Sequence, residues 1–363
     1  MTFHRLPALM LVAALAVGAC APTTTSPAPP SSVASPSQPV ASPSAAPSAP
    51  APAAPATVRL ALDWTPNTNH TGFFVAQHEG WYADAGITLK IVPYSGTAPE
   101  TLVGTNHQAE CGISFQDSLT FAAAAGAKVT SVMAILQRAA SEIAVLETSD
   151  IRRPRDLDGR TYGGFGYPNE VPTVRYVIQH DGGTGQFKDV VIDTAAYEAL
   201  YAKRVDFTIP FTAWEGVEAR LRGIGLRYFA FTDYGFPDFY QVVLACDTDW
   251  LVRQPDVARR FVAATVRGFQ LAADDPDTAA QMLIAENPGA FDANPQLPVA
   301  SAELLAKDRY YVDANDNVGT QTLERWKGYS GFLYDQGLLV DGLGKPLAKA
   351  PDYASLFSND FLP

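Results

Sequence analysis

Two stretches concentrate side chains that could hold a small flat molecule. Leu62-Asp63-Trp64-Thr65-Pro66-Asn67-Thr68-Asn69-His70-Thr71-Gly72 offers an indole face in Trp64 and amide donors and acceptors in Asn67 and Asn69. Gly163-Gly164-Phe165-Gly166-Tyr167-Pro168-Asn169-Glu170 places two aromatic rings among glycines and ends in a carboxylate. Its glycines let backbone N–H groups approach a ligand closely, and the Glu170 carboxylate can accept from a ligand N–H. Phe115, Gln116, Tyr162, Trp214, Glu215 and Tyr240 complete the expected ligand-binding set, with Glu170 expected to carry more of the contact than Glu215. Each also has a plainer use: Asn as a turn or cap residue, Trp214 as core, Glu170 and Glu215 as first-turn helix carboxylates.

These residue types fit stacking better than covalent chemistry. Offset stacking adds roughly 0.5–1.5 kcal/mol per aromatic pair beyond area burial, enough to select a planar heterocycle. An anionic ligand calls for Arg or Lys, and neither loop contains one. The five histidines (His4, His70, His78, His107, His180) lack close metal spacing, and no nucleophile elbow is present. No catalytic residue, metal site or cofactor is therefore expected. The chain carries a net charge of −12, with no basic patch dense enough for nucleic acid.

Positioning these loops requires strands that end beside them. Short apolar runs alternate with helical patterns throughout, which signals βα units and largely parallel sheets. A strand over 58–62 precedes the first motif, and strands follow over 86–92, 111–114 and 129–136. A second unit begins near Asp150, with strands over 189–193 and 205–209. The strand 240–245 returns the chain to the first unit, and the tail from Asp256 is mostly helical. The expectation is an α/β protein of two lobes joined by two crossings, near 144–150 and 241–247, with a ligand cleft between them. Lobe 1 takes residues 57–147 and 247–363, and lobe 2 takes 148–246.

The N-terminus reads as export machinery. His4 and Arg5 precede an apolar run from Leu6 to Val17, the pattern of a signal peptide over residues 1–19. Val17-Gly18-Ala19-Cys20 resembles the lipobox of bacterial lipoproteins, which makes Cys20 the expected lipidation site. Several acyl chains, at about 0.8 kcal/mol per buried methylene, would anchor it stably to the cell membrane on the extracytoplasmic side. Residues 20–56 form an Ala/Pro/Ser/Thr-rich linker, and no charged residue occurs between Arg5 and Arg59. Such a segment cannot bury a core and favours an extended spacer. Cys111 and Cys246 lie in apolar strands, where they are either two buried thiols or one bridge permitted by an oxidising compartment.

The first motif, continued by Gly72-Phe73-Phe74-Val75-Ala76-Gln77-His78-Glu79-Gly80-Trp81-Tyr82, closely resembles a family of periplasmic proteins that bind thiamine pyrimidine precursors. That family also holds riboflavin-binding lipoproteins and yeast-type pyrimidine synthases. Gly112-Ile113-Ser114-Phe115-Gln116-Asp117, the glycine-rich loop ending in Glu170, Trp214-Glu215-Gly216 and the segment Tyr234–Tyr240 look like further family segments in the same order. The resemblance implies a type II periplasmic-binding-protein fold and a binding protein serving an ABC importer, with its permease and ATPase as partners. Its ligand would be a flat aromatic vitamin or vitamin precursor, with a lean to riboflavin from the number of aromatic residues. The alternative is formylaminopyrimidine or hydroxymethylpyrimidine. A pyrimidine-synthase-like enzyme is the alternative of another class, but those relatives use a cysteine-rich stretch, and Cys20, Cys111 and Cys246 are far apart.

Overall fold

In the computed structural model the described residues are 54–363. The expected signal peptide, Cys20 and nearly all of the linker fall outside them.

Within Ala56–Ala61 (β1), Val58 and Leu60 are buried while Arg59 between them reaches the surface, the period-two pattern of a strand. β1 pairs in parallel with Ile87–Val92 (β2) and Cys111–Ser114 (β3). Val129–Leu136 (β4) is buried along its whole length, because Gly319 and Phe357 of the C-terminal tail cover its outer edge. The second sheet holds Ile143–Leu146 (β5), Thr161–Gly164 (β6), Lys188–Val191 (β7), Phe207–Thr208 (β8) and Leu226–Phe229 (β9). The chain then returns through Val242–Asp247 (β10).

The two sheets repeat one plan. The first has the order β2-β1-β3-β10-β4 and the second β7-β6-β8-β5-β9. In each, the fourth strand is antiparallel to its neighbours and is the one that receives the chain from the other lobe. Two α/β lobes are thus joined by two crossings, with a cleft between them.

The strands change sheet earlier than the sequence indicates. The first crossing occupies residues 137–142 and the second 230–241, so the segment expected as the first crossing begins inside β5 and that expected as the second is β10. The C-terminal helix Leu323–Asp335, expected in lobe 1, serves both lobes. Trp326 packs with Tyr240 and Val243 at the first sheet, while Tyr329, Phe332 and Leu333 pack into the second core.

Cys111 and Cys246 face each other across β3 and β10 and form a disulfide; both are fully buried.

Candidate functional site

Parallel strands end on one side of each sheet, and the loops leaving those ends converge on a cavity of about 540 Å³. Asp63, Trp64, Asn67 and Asn69 follow β1, Tyr94 follows β2, and Phe115 and Asp117 follow β3. From the other lobe, Phe165 to Glu170 follow β6, and Phe211, Trp214 and Glu215 follow β8.

Nine of the twelve residues expected to bind ligand line this cavity: Trp64, Asn67, Asn69, Phe115, Phe165, Tyr167, Glu170, Trp214 and Glu215. Gln116, Tyr162 and Tyr240 do not. Gln116 is fully buried, donating from Nε2 to the Arg325 and Trp326 carbonyls while its Oε1 accepts from Tyr240 N at 3.0 Å. The Tyr240 hydroxyl accepts from Thr322 N at 2.8 Å. Both therefore bolt the second crossing to the C-terminal helix. Tyr162 sits in the second core against Phe187 and Phe207, with ring centroids 6.0 and 5.2 Å away. It is fully buried beneath the loop that follows β6, beside Glu170 at Gly164, so it supports the cavity wall without lining it.

The first motif is pinned from within. The Asn67 side chain accepts from Asn69 N at 2.9 Å and donates to the Thr65 carbonyl at 3.0 Å, which caps the 3₁₀ turn Thr68–His70. His70 is fully buried; its Nδ1 accepts from Asn67 N at 3.3 Å. Its proton therefore sits on Nε2, which donates to Asp63 Oδ1 at 2.7 Å and orients that carboxylate at the cleft wall. Asn69 is the contrast: it is only 7 % exposed, and its Oδ1 has no hydrogen-bond partner. Thr173 Oγ1, on the second lobe's side of the cavity lining, is in the same condition at 5 % exposure. Two buried acceptors without partners, one on each wall, are sites for ligand N–H or O–H groups.

Aromatic rings gather at the mouth. Trp64 and Tyr94 pack at 5.1 Å between centroids, and Phe165 and Tyr167 stack at 6.2 Å on the other lobe. Tyr167 is 63 % exposed and Trp64 38 %, so these faces are open to solvent and to an incoming ring.

Six carboxyl side chains line the cavity, and no Lys or Arg does so among the described residues. Burial pushes the Glu100 carboxyl up to about 7 against its hydrogen bond from Ser114, and burial raises Glu215 to about 7 as well. Asp117 is also raised by burial, although Asn169 Nδ2 donates to it at 2.8 Å and the Tyr329 hydroxyl at 3.2 Å. Near neutral pH, Glu100 and Glu215 are thus poised to accept or to donate a hydrogen bond. Glu215 Oε2 accepts from Phe211 N at 3.1 Å.

Sequence reasoning missed Glu100, Asp117, Asn169, Thr173 and Tyr329 as cleft residues. Asp117 and Asn169 lie inside family-like segments, which is the signal that marks them. Tyr329 lies 160 residues beyond Asn169 on a helix with no distinguishing local signal.

Known proteins resemble this chain in sequence and in fold. The formylaminopyrimidine-binding protein of Halalkalibacterium halodurans is 25% identical over 76% of this chain and 84% of its own. The riboflavin-binding protein RibY of Chloroflexus aurantiacus is 25% identical over 84% of this chain and 86% of its own. The alkanesulfonate-binding protein SsuA of Xanthomonas axonopodis pv. citri, solved with MOPS bound, superposes with a TM-score of 0.63. It is 17% identical and covers 84% of this chain and 99% of its own, which establishes a shared periplasmic-binding fold. The family model described as NMT1/THI5 like matches residues 67–279, more than half of the sequence, and the chain belongs to that family.

Proposed function

We propose that this protein captures an uncharged or cationic, nitrogen-rich flat heterocycle outside the cytoplasmic membrane and delivers it to an ABC permease and its ATPase. The observation that carries this reading is the lining itself: paired aromatic rings at the mouth, six carboxyls within, and no Lys or Arg among the described lining residues. A sulfonate would meet only like charge there, so the likeness to the sulfonate-binding protein extends to the fold alone.

Within that class an aminopyrimidine of the kind named for the Halalkalibacterium relative fits best. Its amino N–H lies beside a ring nitrogen, and a carboxyl group can accept from the first while donating to the second when protonated. Glu100 and Glu215, raised to about 7, suit that exchange. Riboflavin is the second reading, favoured by the two aromatic pairs and by a cavity of about 540 Å³. The buried disulfide supports an exported protein, since such bonds persist in oxidising compartments. No described helix is long and apolar enough to cross a membrane, and the proposed attachment is the lipid at Cys20.

Calorimetric titration of residues 57–363 with formylaminopyrimidine, hydroxymethylpyrimidine, riboflavin and an alkanesulfonate tests the reading. Saturable binding of a pyrimidine, with riboflavin weaker and sulfonate absent, is expected. Binding of the sulfonate alone would overturn it.

A further inference from the structure

The loop after β6 is built as an anion cradle, and its anion is already in place. Phe165 N donates to both carboxylate oxygens of Glu170 at 3.1 Å, and Gly166 N donates to Oε2 at 2.9 Å. Glu170 opens the helix Glu170–His180, so its charge also lies on the positive end of that helix. The backbone is shaped around this carboxylate. Gly166 adopts φ 88°, a left-handed conformation that turns its N–H inward. A Cβ at Gly164 would lie 2.7 Å from Glu170 Oε2 and 2.5 Å from Tyr162 Cε1, so only glycine lets the carboxylate seat.

Such convergent N–H groups at a helix start commonly hold a phosphate. Here a phosphate would have to displace Glu170 from three charge-assisted hydrogen bonds. It would then meet the charge of Asp189, which already acts on Glu170, in a cavity that Asp117 and Asp193 also line and that has no cation among its described lining residues.

We propose that Glu170 is a specificity residue that occupies the loop's anion position from within and so excludes phosphate esters, leaving the free, unphosphorylated heterocycle as the ligand. This rests on the reading of the cleft as a heterocycle site. It also places capture in a sequence of reactions. A phosphorylated source must first undergo phosphomonoester hydrolysis: water forms a new P–O bond, the ester P–O bond breaks, and the free alcohol leaves with inorganic phosphate.

Inorganic phosphate and the phosphate monoester of hydroxymethylpyrimidine are the probes, titrated into wild type, Glu170→Ala and Glu170→Gln. Wild type is expected to bind neither. Glu170→Ala, with Phe165 N and Gly166 N freed, is expected to gain at least about tenfold in affinity for both probes. Glu170→Gln removes the charge but leaves an acceptor in place, and a smaller gain in the same direction is expected. Circular dichroism and melting confirm that each variant is folded. Folded variants that bind the probes no better than wild type would overturn the inference, as would wild type binding the ester as tightly as the free alcohol. If Glu170→Ala gains phosphate while no neutral heterocycle binds wild type, the inference holds and the functional reading fails.

Discussion

Asn169 Nδ2 reaches across the cleft to Asp117 Oδ2 at 2.8 Å, joining the loop after β6 to the helix after β3. The same amide donates to the Tyr329 hydroxyl at 2.7 Å, so the C-terminal helix takes part in the contact. This cluster ties one lobe to the other, and it can exist only when the lobes are drawn together.

Asn169→Ala removes that tie and leaves Asp117 with one partner fewer. The free protein should open more often, since the contact favours only the closed form. The expected result is a larger radius of gyration without ligand and an affinity weaker by about three- to tenfold, the loss scaling with the closed fraction. Unchanged scattering and unchanged affinity would show that closure does not depend on this bond.

Trp64 exposes a ring at the mouth and leans on Tyr94, so its removal should act on binding and spare the fold. Trp64→Ala is expected to weaken heterocycle binding by roughly 1–3 kcal/mol at nearly unchanged melting temperature. Asn69→Ala removes the acceptor that has no protein partner and is expected to weaken binding by about 1–2 kcal/mol. Calorimetry separates the cases: an unchanged affinity would assign either residue to the wall alone.

The two glutamates expected from sequence divide differently in the structure. Glu170 spends its acceptors on its own loop, whereas Glu215 receives a single backbone hydrogen bond and faces the cavity. Glu215→Gln should therefore weaken heterocycle binding more than Glu170→Gln, the reverse of the sequence expectation. Equal losses in titrations of the two variants would count against this order.

Stability should also depend on pH in a definite direction. Glu100 and Glu215 rise from 4.5 to about 7, so between those values the native state binds more protons than the unfolded chain. Stability then falls as pH rises through that window, by on the order of 1–3 kcal/mol per carboxyl at most. Melting measured at pH 5.5 should exceed that at pH 8 by several degrees, and Glu100→Gln should flatten the difference. A profile that rises toward pH 8 would refute the assignment.

The anchor is tested outside the folded body. Cys20→Ser should abolish incorporation of labelled palmitate in cells, and labelling that persists would rule out lipidation at this thiol.

Strand–helix alternation was readable because βα units repeat a strong apolar pattern: the strands 111–114 and 129–136 fall where the pattern puts them. β9 was not readable, being a four-residue edge strand with only Phe229 fully inside, so little burial distinguishes it from a loop. β5 is a short apolar run that periodicity alone cannot separate from a connection. In the site, residues beside glycine and proline announced themselves as loop chemistry. Gln116 and Tyr240 have the residue types of a binding site, yet Gln116 donates to carbonyls of the C-terminal helix more than two hundred residues away, and the Tyr240 hydroxyl accepts from Thr322 N at that helix's cap. Such partners are set by tertiary packing, which no local window contains.

The Cys111–Cys246 bond closes a covalent ring whose ends are 135 residues apart, and every strand of the second sheet lies inside it. The second lobe is thus a cassette stitched at its base into the first. A protease that nicks one of its surface loops would leave both fragments joined, and the two lobes would separate only after reduction. The ring also confines the unfolded second lobe near its docking partner, so refolding would begin from a tethered search rather than a free one.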